Sequence, residues 1–241
     1  MQFNSTIKAF FISGLIFLSL SLMIQFTDFD LFISNLFYLE QEQQFILQSN
    51  KLGRILHDYP KYLSILIGLT FVFQSLSLII KNKKLFPFSN KQIYFVSLMF
   101  FMVPLVINAL RYFSLMHCPR DLIIYGGMYD YLRIFDTAPM DWQAGQCSPS
   151  AHAGSFLPLV SIVFIMRYKI SKALIMYALI FLLTSVQILR GAHFFSHIVF
   201  SILIANVLIF IVADWMKIRQ SPRPQEDIQT KKDFLEPHNK Q

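Results

Sequence analysis

Polar and charged residues interrupt the chain at intervals. Between them lie six apolar runs almost free of charge: residues 9–26, 62–80, 93–110, 154–166, 173–189 and 194–212. Most are long enough to cross ~30 Å of hydrocarbon at 1.5 Å of helical rise per residue. A lipid-exposed backbone must satisfy its own hydrogen bonds, so the runs are expected as helices. A strand reading fails, because a β-span needs only about ten residues and alternates in polarity. The fourth run is short, and its helix is expected to begin near Pro149, where the chain leaves a loop. The first is too long for a secretory signal. Gln25-Phe26-Thr27-Asp28 follows it instead of a small-residue cleavage site, which favours a retained anchor. Pro104 is expected to kink the third helix. The expected fold is an all-α, polytopic membrane bundle of about six transmembrane helices. One membrane-embedded domain covers residues 1–216, and a polar, disordered cytoplasmic tail covers residues 217–241.

Composition agrees with a membrane chain. Of 241 residues, 55% are hydrophobic and 15% charged, where a soluble domain carries about a quarter charged residues. The net charge of +7 lies between the apolar runs, so it reports orientation and not nucleic-acid binding. Fourteen basic residues fall on one side of a six-span arrangement: Lys8, the Lys81–Lys91 connector, the Arg167–Lys172 connector and the C-terminal tail. Seven fall on the other: Lys51, Arg54, Lys61, Arg111, Arg120, Arg133 and Arg190. Both termini are therefore expected in the cytoplasm, with the opposite face in the periplasm or outside.

That outer face gathers the unusual polar residues. The long loop opens with Arg111 and runs through His117-Cys118-Pro119-Arg120-Asp121 to Cys147-Ser148-Pro149-Ser150-Ala151-His152. The short turn between the last two runs reads Gln187-Ile-Leu-Arg190-Gly-Ala-His193-Phe-Phe-Ser-His197. Arginine and histidine at membrane depth are costly and usually functional. Guanidinium groups suit a doubly charged phosphate, and Ser150 with the free N–H groups at a helix start would add donors. One imidazole can attack phosphorus while another protonates the departing alkoxide, with no metal or other cofactor required.

In this order and spacing the motifs resemble those of the type 2 phosphatidic acid phosphatases, membrane lipid phosphatases that share a core with vanadium haloperoxidases. Arg111 stands where that family opens its first motif with Lys, and Cys118-Pro119 follows where it has Arg-Pro. Pro149-Ser150-Ala151-His152 matches its second motif, Pro-Ser-Gly-His. His193 matches the histidine of its third, with Gln187 in place of an Arg and His197 in place of an Asp. The wording around Cys118-Pro119 and Arg190-Gly-Ala-His193-Phe is similar to a bacterial branch. The resemblance implies His193 as nucleophile, His152 as general acid, and Arg111 and Ser150 on the phosphate. Arg120 and Arg190 are expected to cover for the missing arginines, and His197, or else Asp121 or Asp141 folding back, to accept the Nδ1–H of His193 in place of the Asp. The implied activity is hydrolysis of a membrane lipid phosphate or pyrophosphate: undecaprenyl pyrophosphate, phosphatidic acid, phosphatidylglycerol phosphate or lipid A.

Other readings stand beside it. His193, His197 and His152 also make a possible three-histidine metal site. The chain could transfer phosphate between lipids, or be a catalytically weak, flippase-like lipid binder. His57, His117 and His238 lack motif support and are expected at the surface, and Arg133 is expected to be an ordinary loop charge. Tyr129, Tyr131 and Trp142 are expected at the headgroup level. Cys118 and Cys147, the only cysteines, share the outer loop, and an oxidising periplasm would favour a disulfide between them. Two unpaired, buried thiols are the alternative.

Overall fold

The computed structural model describes residues 3–133, 135–166 and 170–218. Within them the chain is mostly helical: α1 (Phe3–Gln25), α2 (Phe29–Asn35), α3 (Lys51–Lys81), α4 (Asn90–Tyr112), α5 (Ala151–Phe156), α6 (Leu159–Ile165), α7 (Ile170–Leu189) and α8 (Phe195–Trp215). A two-residue hairpin, β1 (Tyr38–Leu39) with β2 (Gln44–Phe45), pairs antiparallel between α2 and α3. Arg167, Lys169, the tail from residue 219 and His238 lie outside the described residues.

Among the described residues, three helices are long and apolar enough to cross a membrane: α3, α4 and α8. A fourth crossing results if α1 and α2 count as one broken span, although they meet at 80°. The break falls at the polar Thr27-Asp28 pair, where the final turn of α1 tightens to Thr27 N–H···O=C Ile24. Run four differs from the single helix expected. Pro158 has no N–H to donate, so the hydrogen-bond ladder divides into α5 and α6 although the backbone stays in the αR region.

Apolar solvent leaves a mark on the packing. Along α3 the polar Ser64, Gln74 and Ser75 are buried, whereas Leu63, Phe73 and Ile80 are more than 60% exposed. Water would select the reverse. Ser75 and Ser97 share a hydrogen bond across α3 and α4 at 2.7 Å, and Ser64 Oγ donates to the Ser155 carbonyl at 2.6 Å. Gly68 lets the two helices approach, since a Cβ there would sit 2.5 Å from the Phe100 ring. The main core takes residues at three- and four-residue spacing from α4 (Phe95, Met99, Val103), α5 and α6 (Phe156, Val160), and α8 (Ile198, Ile202, Ile209). A second cluster of Phe45, Leu122, Tyr125 and Phe194 closes one end of the bundle.

That end is where the starts of α3, α5 and α8 meet the finishes of α4 and α7. Asn50 caps α3 by accepting from Leu52 N–H, and Leu47 N–H donates to the Leu189 carbonyl that ends α7. Gly191 follows with φ +63, packed so tightly on Phe45 that a Cβ would lie 2.2 Å from its ring. A side chain there would meet both steric and backbone penalties.

Candidate functional site

Local structure aims each functional group at this closed end. Arg111 sits in the last turn of α4, and its Nε donates to the Gln146 carbonyl, which draws the returning loop onto the helix end. Arg120 lies in a single 3-10 turn, Pro119–Asp121, and its main-chain N–H donates to the Gly191 carbonyl at 3.0 Å. Cys118 and Cys147 are joined by a disulfide with Cα atoms 5.3 Å apart. The long loop is thereby fastened beside the α7–α8 turn that carries His193.

His193 is buried, and its Nδ1 lies 3.5 Å from Cys147 Sγ. A disulfide sulfur has no proton to donate, so in this contact Nδ1 is the N–H and sulfur the acceptor. The lone pair of the neutral ring then sits on Nε2. Burial, reinforced by His197 and the Arg111 guanidinium, holds the imidazole well below its ordinary pKa and keeps it neutral. This differs from the expected partner. His197 stands edge-on to His193, with ring centroids 5.8 Å apart, and neither of its nitrogens has a hydrogen-bond partner. The i, i+4 spacing brought the rings together, but their 75° tilt does not bring nitrogen to nitrogen.

Ser150 has a structural role. Fully buried, it caps α5 by accepting from Ala153 N–H, while its own N–H donates to the His197 carbonyl. It works as a helix cap and a brace between α5 and α8, and that cap uses a lone pair of the hydroxyl and not its proton. His152, two residues on, is buried with both ring nitrogens free of hydrogen bonds. Its electrostatic neighbours are His57, His193, Lys61 and Arg190.

Arg190 directs Nη1 at Gln187 Oε1, 3.5 Å away, and its buried Nε has no partner. Burial, then Arg120, works against its positive charge. Arg120 Nε lies 3.8 Å from Asp121 Oδ1, and Lys61 Nζ lies 3.5 Å from Asp58 Oδ1.

His57 is the residue that motif reading missed. It sits in the second turn of α3, half-buried, with its ring stacked on His152 at 4.5 Å. Its Nδ1 lies 2.8 Å from Gln187 Nε2. The available signal was Asn50, a helix-capping residue, with Lys51, Arg54, Asp58 and Lys61 about a turn apart ahead of the second apolar run. His117 is likewise interior: its ring stacks on Tyr129 at 3.6 Å and meets Trp142 edge-on. Tyr131 packs against Phe194, so these aromatics hold the loop. Arg133 pairs with Asp28.

Among the described residues, the possible metal-ligand cluster is Cys118, Cys147 and His193, and both of its sulfurs are bonded to each other. A groove of about 430 Å³ runs between α3 and α4 from Lys61, Ala151 and Ser155 to Val72 and Phe101. The chain matches no family model, no curated protein and no solved structure.

Proposed function

We propose that this chain is a six-span membrane phosphatase that hydrolyses a lipid phosphate or pyrophosphate at the extracytoplasmic face through a phosphohistidine. The spans are α1, α3, α4, the Pro158-interrupted pair α5 and α6, α7 and α8. The two-to-one excess of basic residues on the opposite side sets the orientation. One observation carries the reading. A neutral His193 with its lone pair on Nε2 shares one end of the bundle with an unpartnered, buried His152 and with Arg111, Arg120 and Arg190.

In this reaction the guanidinium groups hold the phosphate, and the buried Arg190 Nε contributes a donor that nothing else uses. His193 Nε2 attacks phosphorus, forming a P–N bond. The P–O bond to the lipid breaks as protonated His152 gives its proton to the departing oxygen. Water then attacks the phosphohistidine, His152 takes a proton from it, and inorganic phosphate leaves. The groove between α3 and α4 offers an apolar bed for the substrate's chain, with Lys61 and Ser155 at its polar end.

The test is phosphate release by purified protein from a panel of lipid phosphates and pyrophosphates, with and without chelator and with an added lipid alcohol. Release that survives chelation supports the reading. Loss on chelation that zinc restores, or phosphate passing only to the alcohol, would replace it with metal catalysis or with transfer.

A further inference from the structure

Three side chains in a row settle where His57 carries its proton. Arg190 has donors only, so the Gln187 atom facing it must be the amide oxygen. The amide NH₂ therefore faces His57 Nδ1, 2.8 Å away, and that nitrogen must accept. The ring proton is left on Nε2, which lies 3.7 Å from Asp58 Oδ1. Flipping the amide would set NH₂ against the guanidinium, and protonating Nδ1 would set N–H against NH₂. Arg190 and Gln187 together hold His57 as one neutral tautomer.

Opposite it, the His152 ring lies nearly parallel, with an interplanar angle of 20° and centroids 4.5 Å apart. Two imidazolium rings at that distance would repel each other. A neutral ring face, by contrast, is a good neighbour for a cation. His152 has no hydrogen-bond partner, so its plane is set by Phe156 on one edge and His57 on its face. Charged and titratable groups near His57 are Arg190, Lys61, Asp58 and Arg120. Those near His152 are His57, His193, Lys61 and Arg190.

We propose that His57 is a positioning residue for the general acid: a neutral plate, held by Gln187 and Arg190, that fixes the His152 ring and keeps a second positive charge away from it. The proposal rests on the phosphatase reading above. It gives Gln187 a purpose, since an arginine at that position would supply no acceptor for Arg190.

The experiment is the pH dependence of kcat and KM for phosphate release from a lipid phosphate, in wild type, His57→Ala, His57→Phe and Gln187→Glu. His57→Ala is expected to lower kcat roughly 10- to 100-fold, the scale of a misplaced catalytic group, with KM within about threefold. His57→Phe keeps a ring face and is expected to recover most of that loss. Gln187→Glu offers His57 Nδ1 only acceptors, which protonates the ring. The added charge disfavours protonated His152, so the basic limb of the profile is expected to move to lower pH by about one unit. Wild-type kcat in His57→Ala, His57→Phe no better than His57→Ala, or an unmoved basic limb in Gln187→Glu overturns the proposal alone. Wild-type protein that releases phosphate from no member of the panel overturns the phosphatase reading, and this proposal with it.

Discussion

Cys147 Sγ faces His193 Nδ1 at 3.5 Å, where the resembled family sets a carboxylate against its nucleophile. Sulfur is a weak acceptor, so it selects the tautomer but does little to stabilise an imidazolium. The Cys118–Cys147 bond also closes a 29-residue separation, worth roughly 3–4 kcal/mol on chain-entropy grounds. Replacing both cysteines with serine is expected to lower the melting temperature in detergent and to lower kcat more than it raises KM. Mass spectrometry of non-reduced, alkylated protein checks the bond itself. Labelling of both cysteines without reductant, in protein taken from its native membrane, contradicts it.

Arg190 offers a test of phosphate geometry. Its Nη1 is engaged by Gln187 and its Nε is buried and free, so the planar fork can hold Gln187 and still offer a donor to phosphate. One ammonium cannot do both. Arg190→Lys is expected to lower kcat/KM by about 10- to 100-fold, the value of one charge-assisted hydrogen bond. Unchanged kcat/KM assigns Arg190 a packing role.

Much of this site was legible from the sequence, because charge asymmetry assigns Arg111, His152 and His193 to one face before any fold is known. What stayed hidden depends on rotation about helix axes and on contacts between distant segments. Asn50 signals that α3 can begin at Lys51, but nothing in the sequence tells that the His57 ring turns towards His152. Ser150 was read as a ligand because its motif suggests one, yet the same hydroxyl satisfies an orphan N–H of α5. His197 has the spacing for a partner of His193 but not the ring orientation. Pro158 was visible inside run four, and its missing N–H is why that run divides.

The start of α8, which fixes the His193 turn, is held from another segment. Asp30 of α2 accepts from both the N–H and the hydroxyl of Ser196. Burial raises its carboxyl from 3.8 to about 6, although both hydrogen bonds pull the other way. A carboxyl whose folded pKa exceeds its unfolded value binds more protons when folded. Its contribution to stability therefore falls as pH rises from about 4 to about 6 and is flat above. Asp30→Asn keeps an acceptor for Ser196 N–H and removes the charge, so it is expected to melt higher than wild type at pH 7.5. The difference between the two melting curves should shrink towards pH 4. Parallel curves across that range contradict the assignment.

Chain length of the substrate tests the groove between α3 and α4. Leu69 lines it about two helical turns along α3 from Lys61. Leu69→Trp is expected to lower kcat/KM roughly tenfold for a long-chain lipid phosphate, an effect of a few buried methylenes. Activity on a short, water-soluble phosphate ester should stay near wild type. Equal losses on both substrates would point to damage at the phosphate site.

The phosphoenzyme is the most direct test of the central claim. Protein turning over a radiolabelled lipid phosphate is quenched in alkali, digested, and the labelled peptide identified by mass spectrometry. The account predicts label on the peptide containing His193, stable to alkali and lost in acid, and none in His193→Ala, which also releases no phosphate. Label on a different residue, or wild-type turnover by His193→Ala, contradicts it.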